Sequence, residues 1–354
     1  THAGLRSSPP MTMGDLAEHV GAVLAKSSER RVGLVIGAQA RGETGFWHRG
    51  SLPDGPGTIF EIGSITKTFT ATLLADMAGD GIVALGDPVQ RHLPDGVWLP
   101  VRGREITLED LATHRSGLPR LPKGLVWQAL TRDRRDPYAS LDEARLAAAI
   151  GATRPRREPG RKVAYSNYGM GLLGHVLALR AGTTYERLVR TRICEPLGLV
   201  DTWLDTPESE RRRVAAGHTW RGRQAPPWHL ASLAGAGGLR STAADLLAFL
   251  RLHAPTSEAP LAVAAAETAR PRAIWRKIEI GLGWLIVPPG RRLPSGRTRY
   301  RLLLHEGGTG GFRSFAGAIP EIRASAVVLA NQARSVGRLG LRVLDALANE
   351  SSRD

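Results

Sequence analysis

The strand-like segments of this chain lie at its two ends, and that restricts the fold more than any single motif. RVGLVIGAQA (31–40) and GFWHRGS (45–51) read as two strands joined near Gly42. After about residue 275 the pattern returns in IEIGLGWLIVP, RYRLLLH, RSFAGAI and RASAVVLAN, with glycine-rich turns between some of them. Between these ends the spacing is helical. The apolar period predicts helices over 13–26, from TKTFTATLLADMAG to about Ala78, and over 141–150, 168–181 and 184–194. Thr107 with Asp110, and Thr242 with Asp245, are spaced to cap two more, and LGLRVLDALANE closes the chain. First and last parts therefore join in one sheet, with a helical middle as a second lobe and a site in the cleft between them. The expected organisation is an N-terminal tail (1–12) and a single α/β domain (13–354). Within it, 13–105 and 266–354 form the α/β lobe and 106–265 the mainly helical lobe.

Composition narrows the classes. Hydrophobic residues make up 42% and charged residues 23% of the 354, as in an ordinary soluble domain, and no run reaches the length of a membrane span. No apolar leader is visible at the N-terminus, so the expectation is a cytoplasmic protein, although a cleaved secreted form would give the same sequence. The one cysteine, Cys194 in RICEPLGL, reads as a small buried hydrophobe. The net charge of +15 raises a nucleic-acid question. However, the arginines fall in short groups (132–136, 154–158, 210–213) often interleaved with acids, and neither zinc-finger spacing nor an aromatic RNA-binding motif accompanies them. They read as solvated faces, and no specific nucleic-acid partner is expected.

Three short stretches carry chemistry. In FEIGSITKTF (60–69) Ser64 and Lys67 stand on one face of a helix that starts near Gly63. They are either a nucleophile with its base or a helix cap with a surface charge. As a nucleophile, Ser64 would profit from the helix N-terminus, and a desolvated Lys67 could take its proton. With 19 serines and five lysines, S-x-x-K alone is weak. In YSN, Tyr165 can move a proton and the Asn167 amide can orient the lysine or bind a carbonyl. In HEGGTGGF (305–312), glycines permit close backbone approach and His305 adds a titratable head.

In this order, S-x-x-K, Y-x-N and the third strand motif resemble the penicillin-binding-protein and serine β-lactamase superfamily. Of its branches, the class C β-lactamase-related one, with its carboxylesterases, D-aminopeptidases and transacylases, is the most similar. THRSGLP (113–119), PGRKVAYSNYG (159–169), PLGLVDT (196–202), AGGLRST (236–242) and GLGW (281–284) extend the resemblance from about residue 60 to 330. It implies a β-lactamase/transpeptidase-like fold with an antiparallel sheet flanked by helices. Ser64 becomes the acylated nucleophile, Lys67 its base or relay, Tyr165 a general base or the acid for the leaving group, and Asn167 a positioner. His305 stands where many relatives have the lysine of K-T-G, and the backbone N–H groups of Ser64 and Gly308 form the oxyanion hole. Glu306 and Gly307 complete the triplet as substrate-binding positions.

That triplet departs from the pattern. A glutamate at the hydroxyl position repels a substrate carboxylate if it points into the cleft, and a near-neutral histidine supplies less charge than lysine. The expectation is a serine acyl hydrolase working through a Ser64 acyl-enzyme on ester or thioester donors, with transfer to water. Transfer to an amine or alcohol by a transacylase of specialised metabolism comes next, and a β-lactamase or D-Ala-D-Ala peptidase ranks behind. A non-catalytic binding homologue is the rival from another class, opposed by the intact Ser64, Lys67, Tyr165 and Asn167. No cofactor or metal is expected. GMGLLG (169–174) fits G-x-G-x-x-G but lacks a preceding strand, and HEGGT lacks the second histidine of a zinc helix. His114 and His175 read as structural, Asp201 and Thr202 as a turn, and Trp98, Trp127, Trp220 and Trp228 as candidates for the cleft mouth.

Overall fold

Strands from both ends of the chain meet in one sheet. The computed structural model describes residues 13–25, 32–122, 138, 141–294 and 296–350. The proposed tail (1–12), Trp127 and the arginine group at 132–136 lie outside the described residues. Strands β1 (Gly33–Ala40) and β2 (Glu43–Gly50) form a hairpin. Its two loop residues, Arg41 (φ 51°) and Gly42 (φ 91°), are both left-handed, which matches the twist of the strands they join. The hairpin is followed in the sheet by β3 (Ala273–Trp275), β4 (Ile278–Ile280), β5 (Leu285–Val287), β6 (Leu302–Gly308), β7 (Arg313–Ile319) and β8 (Ala324–Ala330). The order is β2-β1-β8-β7-β6-β5-β4-β3, antiparallel throughout.

The labelled helices are α1 (Met13–Ala25), α2 (Thr66–Gly79), α3 (Leu108–Ala112), α4 (Glu143–Ala152), α5 (Asn167–Arg180), α6 (Tyr185–Val189), α7 (Ala243–Leu250), α8 (Ala262–Thr268) and α9 (Gly337–Glu350). Alternation along the strands sends side chains to two separate cores. Leu302, Leu304, Phe315, Ala326 and Val328 face outward with Val20 of α1 and Val343, Leu344 and Leu347 of α9. Leu303, Ala316, Val327 and Leu329 face inward with α2, α5 and α7. Phe69 of α2 stacks on Phe249 of α7 at 4.0 Å between ring centres. Among the described residues no helix is long and apolar enough to cross a membrane.

The structure differs from the sequence reading in three places. Helix α7, expected in the second lobe, packs on β1 and β8 at the inner face of the sheet. The expected helix 184–194 ends at Val189 and widens into a π turn over Arg190–Cys194. The stretch IEIGLGWLIVP is two strands, because Gly283 (φ 68°) reverses the chain between them. A Cβ at Gly283 would lie 2.7 Å from the carbonyl oxygen of Lys67, so this turn also lets the sheet close on α2.

Candidate active site

Ser64 occupies a single 3-10 turn, Gly63–Ile65, that leads into α2. The capping positions of that turn and of α2 are Ile62 and Ile65, and Ser64 Oγ accepts from Lys67 instead, which removes the helix-cap reading. Backbone on both sides holds the turn. Phe60–Glu61 pairs with Arg240–Ser241, Ile62 N–H donates to Leu239 O (3.0 Å), and Ser314 Oγ donates to Ile62 O (2.7 Å). Gly63 has φ 51°, and a Cβ on it would sit 2.5 Å from the Gly308 nitrogen, so a glycine brings that amide beside Ser64.

Lys67 has no exposed surface, so it is not a solvated helix charge. Its Nζ lies 2.9 Å from Ser64 Oγ and 2.5 Å from the carbonyl oxygen of Ala236, donating to both. Ala236 ends the turn Ala231–Ala236, which packs on α5. Gly171 and Gly174 allow this contact, since a Cβ at either would lie within 3 Å of Leu233 or Gly235. The G-x-G-x-x-G match therefore sits inside a helix and serves packing. Burial, and secondarily the charge of Arg120, hold the Lys67 pKa well below the ordinary lysine value. A neutral amine can reverse its hydrogen bond and accept the Ser64 proton.

Ser166 of the YSN motif is the N-cap of α5, accepting from Gly169 N–H (2.9 Å) while its hydroxyl donates to Pro119 O (2.7 Å). This cap aims the residues on either side of it. Tyr165 meets Ser64, and its ring centre lies 5.0 Å from Lys67 Nζ and 4.4 Å from the His114 ring. Burial pushes its phenol up to about 12, against the lowering effects of Ser64 and Arg120. The Asn167 amide donates to Tyr138 Oη (3.1 Å), and its buried oxygen has no donor among the described residues. The lysine's second acceptor is thus Ala236 O, and Asn167 does not orient it.

Strand β6 carries the third motif. His305 and Gly307 point inward and Glu306 outward, as the alternation of Leu302, Leu303 and Leu304 requires. Glu306 lies against Gly337 at the start of α9, near Arg313, on the face of the sheet away from Ser64. The expectation that it binds or repels substrate fails for that reason. Gly307 is buried against Ile62 O and Ser314 Oγ, where a Cβ would sit 1.9 and 2.2 Å away. It seats the strand on the nucleophile turn, and a ligand has no access to it. Gly307→Ala should cost about 1–3 kcal/mol of stability and lower kcat by displacing Gly308; thermal melting and steady-state rates check both. His305 is buried, and desolvation pushes its pKa down to about 3, aided by Lys67. Its Nδ1–H donates to Glu306 O (2.9 Å), which leaves Nε2 as a neutral acceptor.

His114, read from the sequence as structural, and Arg120 and Tyr138, given no role there, surround this group. His114 Nδ1 accepts from Ser166 N–H (3.3 Å) and its ring packs on Tyr165. The Arg120 guanidinium carbon stands 5.4 Å from the same ring centre. Tyr138 links Asn167 to Trp228 (ring centres 5.6 Å). THRSGLP contains His114 and leads directly to Arg120, so the stretch itself was the available signal. Of the tryptophans, Trp228 joins the site through Tyr138, Trp220 is exposed beyond a small hairpin packed on Gly311 and Phe312, and Trp98 is exposed with its carbonyl facing Gly151.

A serine hydroxyl bonded to a buried lysine one helical turn on, beside strand β6 of an antiparallel sheet, defines the class: a serine acyl hydrolase. The chain belongs to the beta-lactamase family, whose model, described as Beta-lactamase, matches residues 13–350. It is 31% identical to the D-alanyl-D-alanine-carboxypeptidase/endopeptidase AmpH of Escherichia coli over 77% of this chain and 70% of AmpH. It is 28% identical to a beta-lactamase of Pseudomonas fluorescens, over 78% of this chain and 80% of the relative. The crystal structure of a class C beta lactamase from Rhodobacter sphaeroides superposes with a TM-score of 0.77 at 28% identity, covering 95% and 99% of the two chains.

Proposed function

We propose that the protein hydrolyses ester or thioester acyl donors through an acyl-enzyme on Ser64. The observation that carries this is the wholly buried Lys67 amine, 2.9 Å from Ser64 Oγ and held toward its neutral form. Lys67 takes the hydroxyl proton as Ser64 Oγ attacks the carbonyl carbon. The backbone amides of Ser64 and Gly308 receive the developing oxyanion. Tyr165, a phenol at neutral pH, gives its proton to the leaving oxygen as the old acyl bond breaks, and is reprotonated by the Lys67 ammonium. Water then attacks the acyl-enzyme with its proton passing to the neutral Lys67 amine, and the ammonium returns a proton to Ser64 Oγ as the ester bond to the serine breaks. His305 acts as a neutral acceptor beside Tyr165, and Asn167 fixes the Tyr138 wall. Replacing water by an amine or alcohol in the second step gives the transacylase alternative.

Esters rank first because His305 supplies no charge where the resemblance puts a lysine. A second reading, hydrolysis of carboxylate-bearing amides as the name of AmpH describes, is favoured by the outward turn of Glu306, which removes a repulsive group from the cleft. The test is intact-protein mass after incubation with a 4-nitrophenyl ester and, separately, a chromogenic cephalosporin. An acyl adduct and nitrophenol release from the ester alone support the first reading, and cephalosporin turnover supports the second. No adduct from either sinks the acyl-enzyme mechanism in favour of a binding role. Tyr165→Phe should lower kcat on the ester by about 10²- to 10³-fold; a change under threefold in steady-state kcat would remove Tyr165 from the proton path.

A further inference from the structure

Among the described residues, the site gathers basic groups and no carboxylate. Around the Tyr165 ring stand Lys67, Arg120, His114 and His305, with ring centres or charged groups 4.4 to 6.4 Å away. The charges acting on Lys67, His114 and His305 all come from this same set, and none is a carboxylate. Burial holds Lys67 and both histidines toward their neutral forms, whereas a guanidinium keeps its proton in any protein setting. Arg120 is also exposed.

Three other arginines near the surface are paired with acids. Arg104 forms two bonds with Asp110, Arg192 binds Asp76 and Asp80, and Arg213 joins Asp54, Asp201 and Glu210. Arg120 has neither a hydrogen bond nor an ion pair from its side chain among the described residues; its recorded contact is the Tyr165 ring. Its backbone is fixed nonetheless. Arg120 O accepts from Tyr168 N–H (3.1 Å), and Pro119 O accepts from Ser166. The residue is therefore pinned to the start of α5, the element that aims Tyr165 and Asn167. The one acidic residue expected at the site, Glu306, faces the other side of the sheet.

We infer that Arg120 is a specificity-determining residue, which binds an acid group on the acyl donor from the helical wall of the cleft. A carboxylate reaching this guanidinium forms a charge-assisted, two-point contact at a site with no acid among the described residues. The role that the resemblance gives to a strand lysine passes to the opposite wall. This inference rests on the acyl-enzyme reading above, and the experiment separates the two.

The readout is a ratio of kcat/KM values between matched donors. Mono-4-nitrophenyl adipate is compared with 4-nitrophenyl hexanoate, which places the acid on the acyl part. The second pair, 4-(hexanoyloxy)benzoate and its methyl ester, places it on the leaving group. The wild type should prefer the acid in at least one pair by about ten- to a hundredfold. That preference should shrink with added salt, fall to near unity in Arg120→Ala and survive in part in Arg120→Lys. A wild-type ratio near unity in both pairs, or one that persists in Arg120→Ala, overturns the inference while leaving the acyl-enzyme intact. No turnover of any of the four donors overturns both.

Discussion

Ser64→Ala should reduce turnover of 4-nitrophenyl esters by about 10⁴- to 10⁶-fold and abolish the acyl mass adduct, while the protein still folds. The size of the loss follows from the arrangement. Lys67, Tyr165 and the Gly308 amide all converge on one oxygen, so without it the proton path has no origin and the oxyanion site no tetrahedral intermediate to hold. The fold should survive because Ser64 is partly exposed on a turn fixed by its neighbours, through the backbone of Ile62 and Gly63 and the Thr66 hydroxyl, which accepts from Leu239 N–H. Lys67 keeps its bond to Ala236 O in the variant. Intact-protein mass and thermal melting measured on one preparation check both halves. A wild-type adduct on the alanine variant would mean that another residue is acylated.

Lys67→Met should remove activity almost as completely, by about 10³- to 10⁴-fold, and should change how stability responds to pH. The native state disfavours the charged amine, so the unfolded chain binds more protons than the folded one between the depressed native pKa and the ordinary lysine value. Stability from this group therefore rises with pH across that window, with a limiting slope of about 1.4 kcal/mol per pH unit. Methionine fills a similar volume and does not titrate. Denaturation midpoints from pH 7 to 9.5 should show the wild type gaining on the variant as pH rises. A flat difference across this range would mean that Lys67 is protonated in the folded state, and Tyr165 would have to be the base.

The parts of the fold that sequence foretold are those with a local period or a local cap. β1, β2 and the C-terminal strands are short runs of strand composition bounded by turn residues, Thr107 and Thr242 cap their helices by accepting from the Asp110 and Asp245 N–H groups, and Ser64 with Lys67 is a one-turn spacing. Helix α7 was assigned to the wrong layer because an apolar face does not say which surface covers it. Glu306 was misread because its family position was considered without the strand's alternation, which two neighbouring leucines already disclosed. His114 was read only as structural and Arg120 was given no role, because their place beside Tyr165 comes from the cap at Ser166, which folds the segment 114–120 onto that ring. Whether Lys67 was neutral could not be read from any window of sequence, since its burial is supplied by segments from across the chain.

Those remote segments set when the enzyme comes alive. Ser314 reaches Ile62 across 252 residues and Lys67 reaches Ala236 across 169. Closures of that length are late events in folding, because their entropy is lost before their contacts form. During synthesis α2 leaves the ribosome well ahead of β6 and β7. Until those strands dock, Lys67 is hydrated and protonated and Ser64 is an unactivated hydroxyl. A nascent or broken copy thus carries no indiscriminate acylating serine into the cell: the hydroxyl is armed by the last strands of the chain to arrive.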